Sequence, residues 1–262
     1  MTAGLDPARL FPAGTAVSRL TVYDWAGPGG VRGGSAHVHL ACTEGYVVLA
    51  GHGVLQTLGP DGYAETELAP MTVAWFSPGV IHRLVNTGGL QILVVMQNGG
   101  LPEAGDCVLT FPPDVLADPG AYAAAATLAN PVVPDEPGEA GGTGDGAAAA
   151  RRRKDLAVEG FLRLRDQVAE HGPAVLEEFY ATAAALVRPG LPAWRERWEA
   201  GPLAAALATG EHLDLLDGGR HDHLSQGRLT VLGPPDDRRY GNCGRLDPYP
   251  PYPPGETRPD EL

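Results

Sequence analysis

Apolar and polar positions alternate with a period of two through much of residues 15–115, and with a period near 3.6 beyond residue 155. In the first part, runs rich in Val, Ile, Leu and Tyr at 17–25, 35–41, 45–50, 53–58, 72–76, 81–86, 91–97 and 107–111 read as strands. Turn residues punctuate them: Gly27-Pro28-Gly29-Gly30, Gly51-His52-Gly53, Gly59-Pro60-Asp61-Gly62, Ser77-Pro78-Gly79 and Thr87-Gly88-Gly89. Proline early and glycine last at 59–62 suit a type I turn joining a hairpin. Many short strands at this spacing predict a sandwich or barrel. Residues 1–14 read as a loop arm.

The later pattern is helical. Ala-rich 114–128 predicts one or two helices. In 155–171, Val158, Phe161, Leu162 and Val168 share a face; in 173–187, Leu176, Phe179, Tyr180, Ala183 and Val187 form a stripe. Trp194 and Trp198 stand one turn apart, and 202–209 predicts a further short helix. Between the two parts, 130–150 is rich in Pro, Gly and Ala and reads as a flexible linker. The expected organisation is a β-barrel domain at 1–129, the linker at 130–150, and a helical region at 151–262. That last region ends in a Pro/Tyr-rich tail at 248–254, a sequence favouring polyproline II. The fold class is mainly β plus α.

The strand at 35–41 carries His37 and His39, whose side chains project to one face because residues i and i+2 do. Glu44 lies five residues on, and His82 follows the Pro78-Gly79 turn. Three imidazoles and a carboxylate suit a divalent transition metal with open coordination positions. If Glu44 points inward, so do Tyr46 and Val48; if His82 does, so do Leu84 and Asn86. Tyr46 either offers a hydroxyl near the metal or fills core space. Asn86 reads as a strand-end residue able to orient His82.

This spacing resembles the cupin family. The family's first motif runs glycine, five residues, His-x-His, three or four residues, Glu, six residues, glycine. His37, His39, Glu44 and Gly51 match, while the leading glycine slot holds Val31 between Gly30 and Gly33. The second runs glycine, five residues, Pro-x-Gly, two residues, His, three residues, Asn. Gly79, His82 and Asn86 match; Ser77 fills the proline slot beside Pro78, and Met71 the leading glycine slot. The resemblance covers the first half of the chain. It implies an antiparallel jelly-roll barrel with a metal held by His37, His39, Glu44 and His82, and leaves Glu44 and Tyr46 as the catalytic candidates. Fe leads among the metals, with Mn, Ni, Zn and Cu open. Dioxygenase-type oxidation of a small molecule leads among reactions; isomerase or lyase chemistry and non-catalytic binding of a sugar-like molecule are the alternatives. The intact Glu44 departs from the thiol-oxidising cupins, which use histidines alone.

Composition narrows the partners. The 262 residues carry a net charge of −13, which argues against nucleic acid and anionic membranes. No apolar run is long enough to span a bilayer and no secretory signal is visible. Three widely spaced cysteines, Cys42, Cys107 and Cys243, fit a reducing cytoplasm better than a disulfide framework. The basic run Arg151-Arg152-Arg153-Lys154 reads as a solvated helix end meeting acidic residues. His221-Asp222-His223 lies in a polar, Gly-rich loop without other ligands at a metal-binding interval, and reads as surface. A homodimer through edge strands is the expected assembly.

Overall fold

The computed structural model describes residues 10–129, 131–133 and 145–250. The period-two half does become sheet. Its strands are β1 (Ala16–Val22), β2 (His37–His39), β3 (Glu44–Gly59), β4 (Gly62–Leu68), β5 (Val73–Phe76), β6 (Ile81–Met96) and β7 (Cys107–Leu109). All pairings are antiparallel. β6 lies between β3 and β1, β4 and β5 pair with β3, and β2 joins β6 to β7. The hairpin at 59–62 forms as expected, with Gly59 opposite Gly62.

Two expected turns are bends within long strands. β3 runs through Gly51-His52-Gly53 and β6 through Thr87-Gly88-Gly89, with register shifts where they face each other. Such bulges bend and twist a ladder without ending it. Gly51 has φ 73°, and a Cβ there would lie 2.2 Å from the Gly89 carbonyl oxygen. Asn86 braces the bend: its side-chain oxygen accepts from the Gly88 and Leu90 amides while its amide donates to the Val22 carbonyl.

The helices are α1 (Pro113–Leu116), α2 (Pro119–Ala126), α3 (Asp145–His171), α4 (Leu176–Val187), α5 (Leu191–Trp198) and α6 (Ala204–Asp217). α3 begins inside the stretch expected to be linker. Ala147 and Ala150 are buried against Tyr23 and Trp25, and that packing outweighs a composition that reads as flexible. Asn130 and residues 134–144 of the expected linker, the arm at 1–9 and the tail beyond residue 250 lie outside the described residues.

The expected boundaries do not separate cores. Barrel residues Tyr46, Val48, Leu84 and Ile92 cluster with Trp194 and Cys243, while Val38, Ile81 and Val108 pack on Ala157, Phe161, Phe179 and Ala183 of α3 and α4. The C-terminal region is also not all helical. β8 (Arg239–Tyr240) pairs with β9 (Gly244–Pro248), and β9 adds to the free edge of β1. Pro248 therefore closes a strand, so the Pro/Tyr segment enters the sheet before it leaves the described residues.

The basic run is a second correction. It sits inside α3, not at an end. Lys154 is 1% exposed, donates to the carbonyls of Trp25 and Ala26 and pairs with Asp155, and Arg153 also turns inward. The His221-Asp222-His223 segment is a surface turn, as expected, with Arg220 paired to Asp222.

The bend makes a stability prediction. Gly51→Ala combines positive φ with a backbone clash and should destabilise by about 2 kcal/mol or more. Gly210→Ala, on an exposed turn of α6 with open space around it, should stabilise by up to about 1 kcal/mol. Urea denaturation of both variants checks the contrast; equal effects would remove the bend's special status.

Candidate metal centre

His37, His39, Glu44 and His82 converge: one ligand atom from each lies within 4.8 Å of the others, and all four residues are buried. β2 supplies the first two on one face. β3 opens with Glu44, and β6 places His82 directly opposite His37. The four residues lie on three strands that share one sheet.

The imidazoles are aimed by what stands behind them. His37 Nδ1 faces the Ser35 carbonyl at 3.3 Å and His82 Nδ1 the Val80 carbonyl at 3.0 Å. A carbonyl only accepts, so each Nδ1 carries the proton and each Nε2 turns a lone pair inward. His39 Nδ1 bonds the Asp106 carboxylate at 3.0 Å. Asp106 is itself buried and held by the amides of Leu40 and Ala41. Backing ligand histidines with carbonyls and carboxylates fixes their orientation and raises their basicity.

The gathered atoms fit a cation. His82 Nε2 lies 3.1 Å from His37 Nε2 and 3.0 Å from Glu44 Oε2, while His39 Nε2 lies 3.3 Å from the same oxygen. Two ligands at right angles, each about 2.1 Å from a shared ion, stand about 3 Å apart. Two inward lone pairs at that distance repel unless positive charge sits among them. Burial opposes charge on Glu44, yet the adjacent His39 and His82 rings hold its carboxyl well below the usual range, so it is anionic. Burial likewise opposes charge on His39, but Asp106 and Glu44 together raise it to about 9, so without a metal it carries a second proton that a bound metal would displace. Burial, then His82 and His39, push His37 well below its usual value, leaving it a neutral donor. Neutral imidazoles and a carboxylate are the donor set a divalent transition metal takes.

Tyr46, Val48 and Leu84 do face the interior, each no more than 1% exposed. The Tyr46 ring lies 6.4 Å from that of His82 and packs on Phe76, whose ring is 4.1 Å from His82. The Tyr46 hydroxyl is buried without a hydrogen-bond partner. Burial, with the nearby Glu44 charge, raises its pKa well above the phenol value, so it stays protonated. Asn86 does not touch His82; the Val80 carbonyl performs the orienting expected of it.

Two neighbours escaped the sequence reading. Asp106 lies 67 positions from the histidine it holds. Cys243, between β8 and β9, places its sulfur 3.9 Å from His37 Nδ1. Only its odd count among three thiols drew notice. All three cysteines are free.

No protein-family model and no curated protein matches the chain. Among solved structures, matches include a cupin superfamily protein from Desulfitobacterium hafniense (18% identity, 32% of this chain, 66% of that one, TM-score 0.26). They also include a predicted oxalate decarboxylase from Thermotoga maritima (24% identity, 32% and 64%, TM-score 0.24). A third is a capsular polysaccharide assembling protein from Staphylococcus aureus (18% identity, 37% and 24%, TM-score 0.25). The chain thus spans less than two thirds of the length of each of these proteins. Cupin proteins stand among the neighbours, as the two motifs implied. Among the described residues no helix is long and apolar enough to cross a membrane.

The geometry predicts the behaviour of three variants. His82→Ala and Glu44→Gln should lose stoichiometric metal, measured by plasma mass spectrometry, while circular dichroism shows an intact sheet. Asp106→Asn should keep the site and weaken metal about 10- to 100-fold. In the native chain, metal at about 100 times Kd should add about 2.7 kcal/mol of stability, an increment absent from His82→Ala. Native metal content in both ligand variants would rule the centre out.

Proposed function

We propose that the protein is a mononuclear metal enzyme acting on a small organic molecule, with dioxygenase-type oxidation as its leading reaction. The observation that carries this reading is the buried quartet with every imidazole turned inward from behind. His37, His39, His82 and Glu44 would hold a divalent ion, giving a centre of net charge +1. When bound, such an ion supplies a Lewis acid with free positions for a chelating or anionic substrate and, if it is Fe, the electron exchange that oxidation by O2 requires.

The chain's own groups do the rest. Phe76, Val48 and Leu84 wall the interior with apolar surface and exclude water. Low dielectric there strengthens every polar contact to a bound substrate. Tyr46 keeps its proton and has no partner in the protein, so its hydroxyl is free to donate to a substrate oxygen. Glu44 stays anionic and tempers the charge of the centre.

The same reading takes a second copy of the chain as partner and, from the free thiols, a reducing cytoplasm as setting. β5 pairs with β3 alone, and Val73 and Trp75 on it are 58% and 73% exposed, beside Met71 at 78%. An apolar open edge of this kind favours pairing with another strand. Sedimentation should show a dimer, and Trp75→Lys should convert it to monomer without loss of fold; a monomeric native chain refutes this assembly.

Activity has its own test. Oxygen uptake by the Fe(II)-loaded protein is followed across a panel of small keto and hydroxy acids. Uptake matched to substrate loss supports oxidation. Turnover with Zn or Mn but no uptake moves the assignment to isomerase or lyase, and binding without turnover under any metal moves it to a binding module. Tyr46→Phe should lower kcat about a hundredfold or more at unchanged metal content. It should melt no earlier than the native chain, because it removes a buried hydroxyl that lacks a partner. Lower stability with unchanged kcat would reduce Tyr46 to a packing residue.

A further inference from the structure

Arg153 is a cation with no part in the metal centre and with one buried donor that the fold leaves unpaired. It leaves α3 to wall a cavity of about 480 Å3, bounded also by Cys107, Tyr122, Ala126, Leu186, Trp194 and Asn242. His37, His39, Glu44 and His82 do not line that cavity. Its volume lies in the range of small-molecule sites. The guanidinium donates to the carbonyls of Ala126 at 3.2 Å, Tyr240 at 3.2 Å and Gly241 at 2.7 Å. Its Nε is buried with no partner. Among the described residues no carboxylate pairs with it. Glu103, which also lines the cavity, is exposed and spends an oxygen on the Gly100 amide.

A largely buried cation balanced only by carbonyl dipoles is costly, and proteins normally pair or neutralise such a charge. Burial lowers the pKa of Arg153, which agrees with a charge short of compensation. Two nearby side-chain donors are already committed: the Trp194 indole donates to the Ala104 carbonyl, and the Asn242 amide to Cys107 sulfur. The remaining walls include the apolar side chains of Leu186 and Val187 and the face of Trp194.

We propose that this cavity binds a small organic monocarboxylate, its charge on Arg153 and its apolar end against Leu186, Val187 and Trp194. The site is separate from the metal quartet, although the two share a wall: Asp106, which holds His39, lies between Gly105 and Cys107 of the cavity. A planar guanidinium favours a carboxylate over a neutral amide of the same shape.

The probes are benzoate and its neutral counterpart benzamide, titrated calorimetrically into the metal-free full chain. Benzoate should bind one to one, and benzamide at least about tenfold more weakly. Arg153→Gln should weaken benzoate about ten- to hundredfold. Because Arg153 also ties α3 to Ala126 and to Tyr240 and Gly241, a second variant leaves those bonds in place. Leu186→Trp fills the cavity and should abolish binding in a chain that circular dichroism shows to be folded. Glu44→Gln should bind benzoate as the native chain does. The proposal is overturned if benzoate does not bind, if benzamide binds equally, if Leu186→Trp leaves benzoate affinity unchanged, or if Glu44→Gln removes it.

Discussion

Everything at the candidate metal centre depends on the bend shared by β3 and β6. In the ladder between these strands, Glu44 lies opposite Met96 and His82 opposite Thr57, thirteen positions apart along β3. A straight ladder would hold them about 40 Å apart at the usual rise per residue. Their side chains meet at 3.0 Å. The ladder must therefore fold back on itself, and it does so where Gly51 and Gly89, both at positive φ, let the two backbones approach. Closure of a sheet by paired bulges is a known route from open sheet to barrel. Here that closure also brings the candidate metal ligands together, so the fold's curvature and the geometry of the site have one cause.

Closure alone would gather side chains without deciding what they offer each other. The deciding feature is the oxygen behind each imidazole. Ser35 and Val80 present carbonyls, and Asp106 presents a carboxylate, so each Nδ1 proton faces away from the centre and each Nε2 faces into it. A histidine buried for packing needs any satisfied partner. Three histidines with each Nδ1 proton facing outward and a carboxylate between two of them make a centre that a cation completes: a metal, or without one the second proton that Asp106 and Glu44 hold on His39.

The quartet was legible because strand parity is local: His37 and His39 share a face by spacing alone, and the two motifs supplied Glu44 and His82. Asp106 was not legible, since its role arises where β7 pairs with β2, a tertiary event with no signature beside it. Gly51 and Gly89 were read as turns because glycine clusters mark turns and bulges alike, and only the partner strand tells them apart. β9 was hidden because its five residues, Gly244–Pro248, are too few to show alternation; the unpaired edge of β1 makes it a strand. Arg153 was assigned to solvent because a run of four cations cannot all be buried. α3 resolves this by rotation. Arg152 takes the exposed side while Arg153 and Lys154 turn inward onto carbonyls.

Among the buried polar atoms short of a hydrogen-bond partner are the hydroxyl of Tyr46 and the Nε of Arg153. Each unpartnered buried group costs on the order of 1–3 kcal/mol, against a typical net stability of about 5–15 kcal/mol. Phe in place of Tyr46 would keep the ring packing on Phe76 and avoid the cost. A residue that spends stability on an atom the fold does not use is accounted for by something the fold receives. Tyr46 stands beside the quartet and Arg153 beside a cavity, two places where an incoming molecule would supply the missing partner. The sheet and helices are thus complete as packing and incomplete as hydrogen bonding, and at Arg153 the deficit lies beside a cavity with room for a ligand.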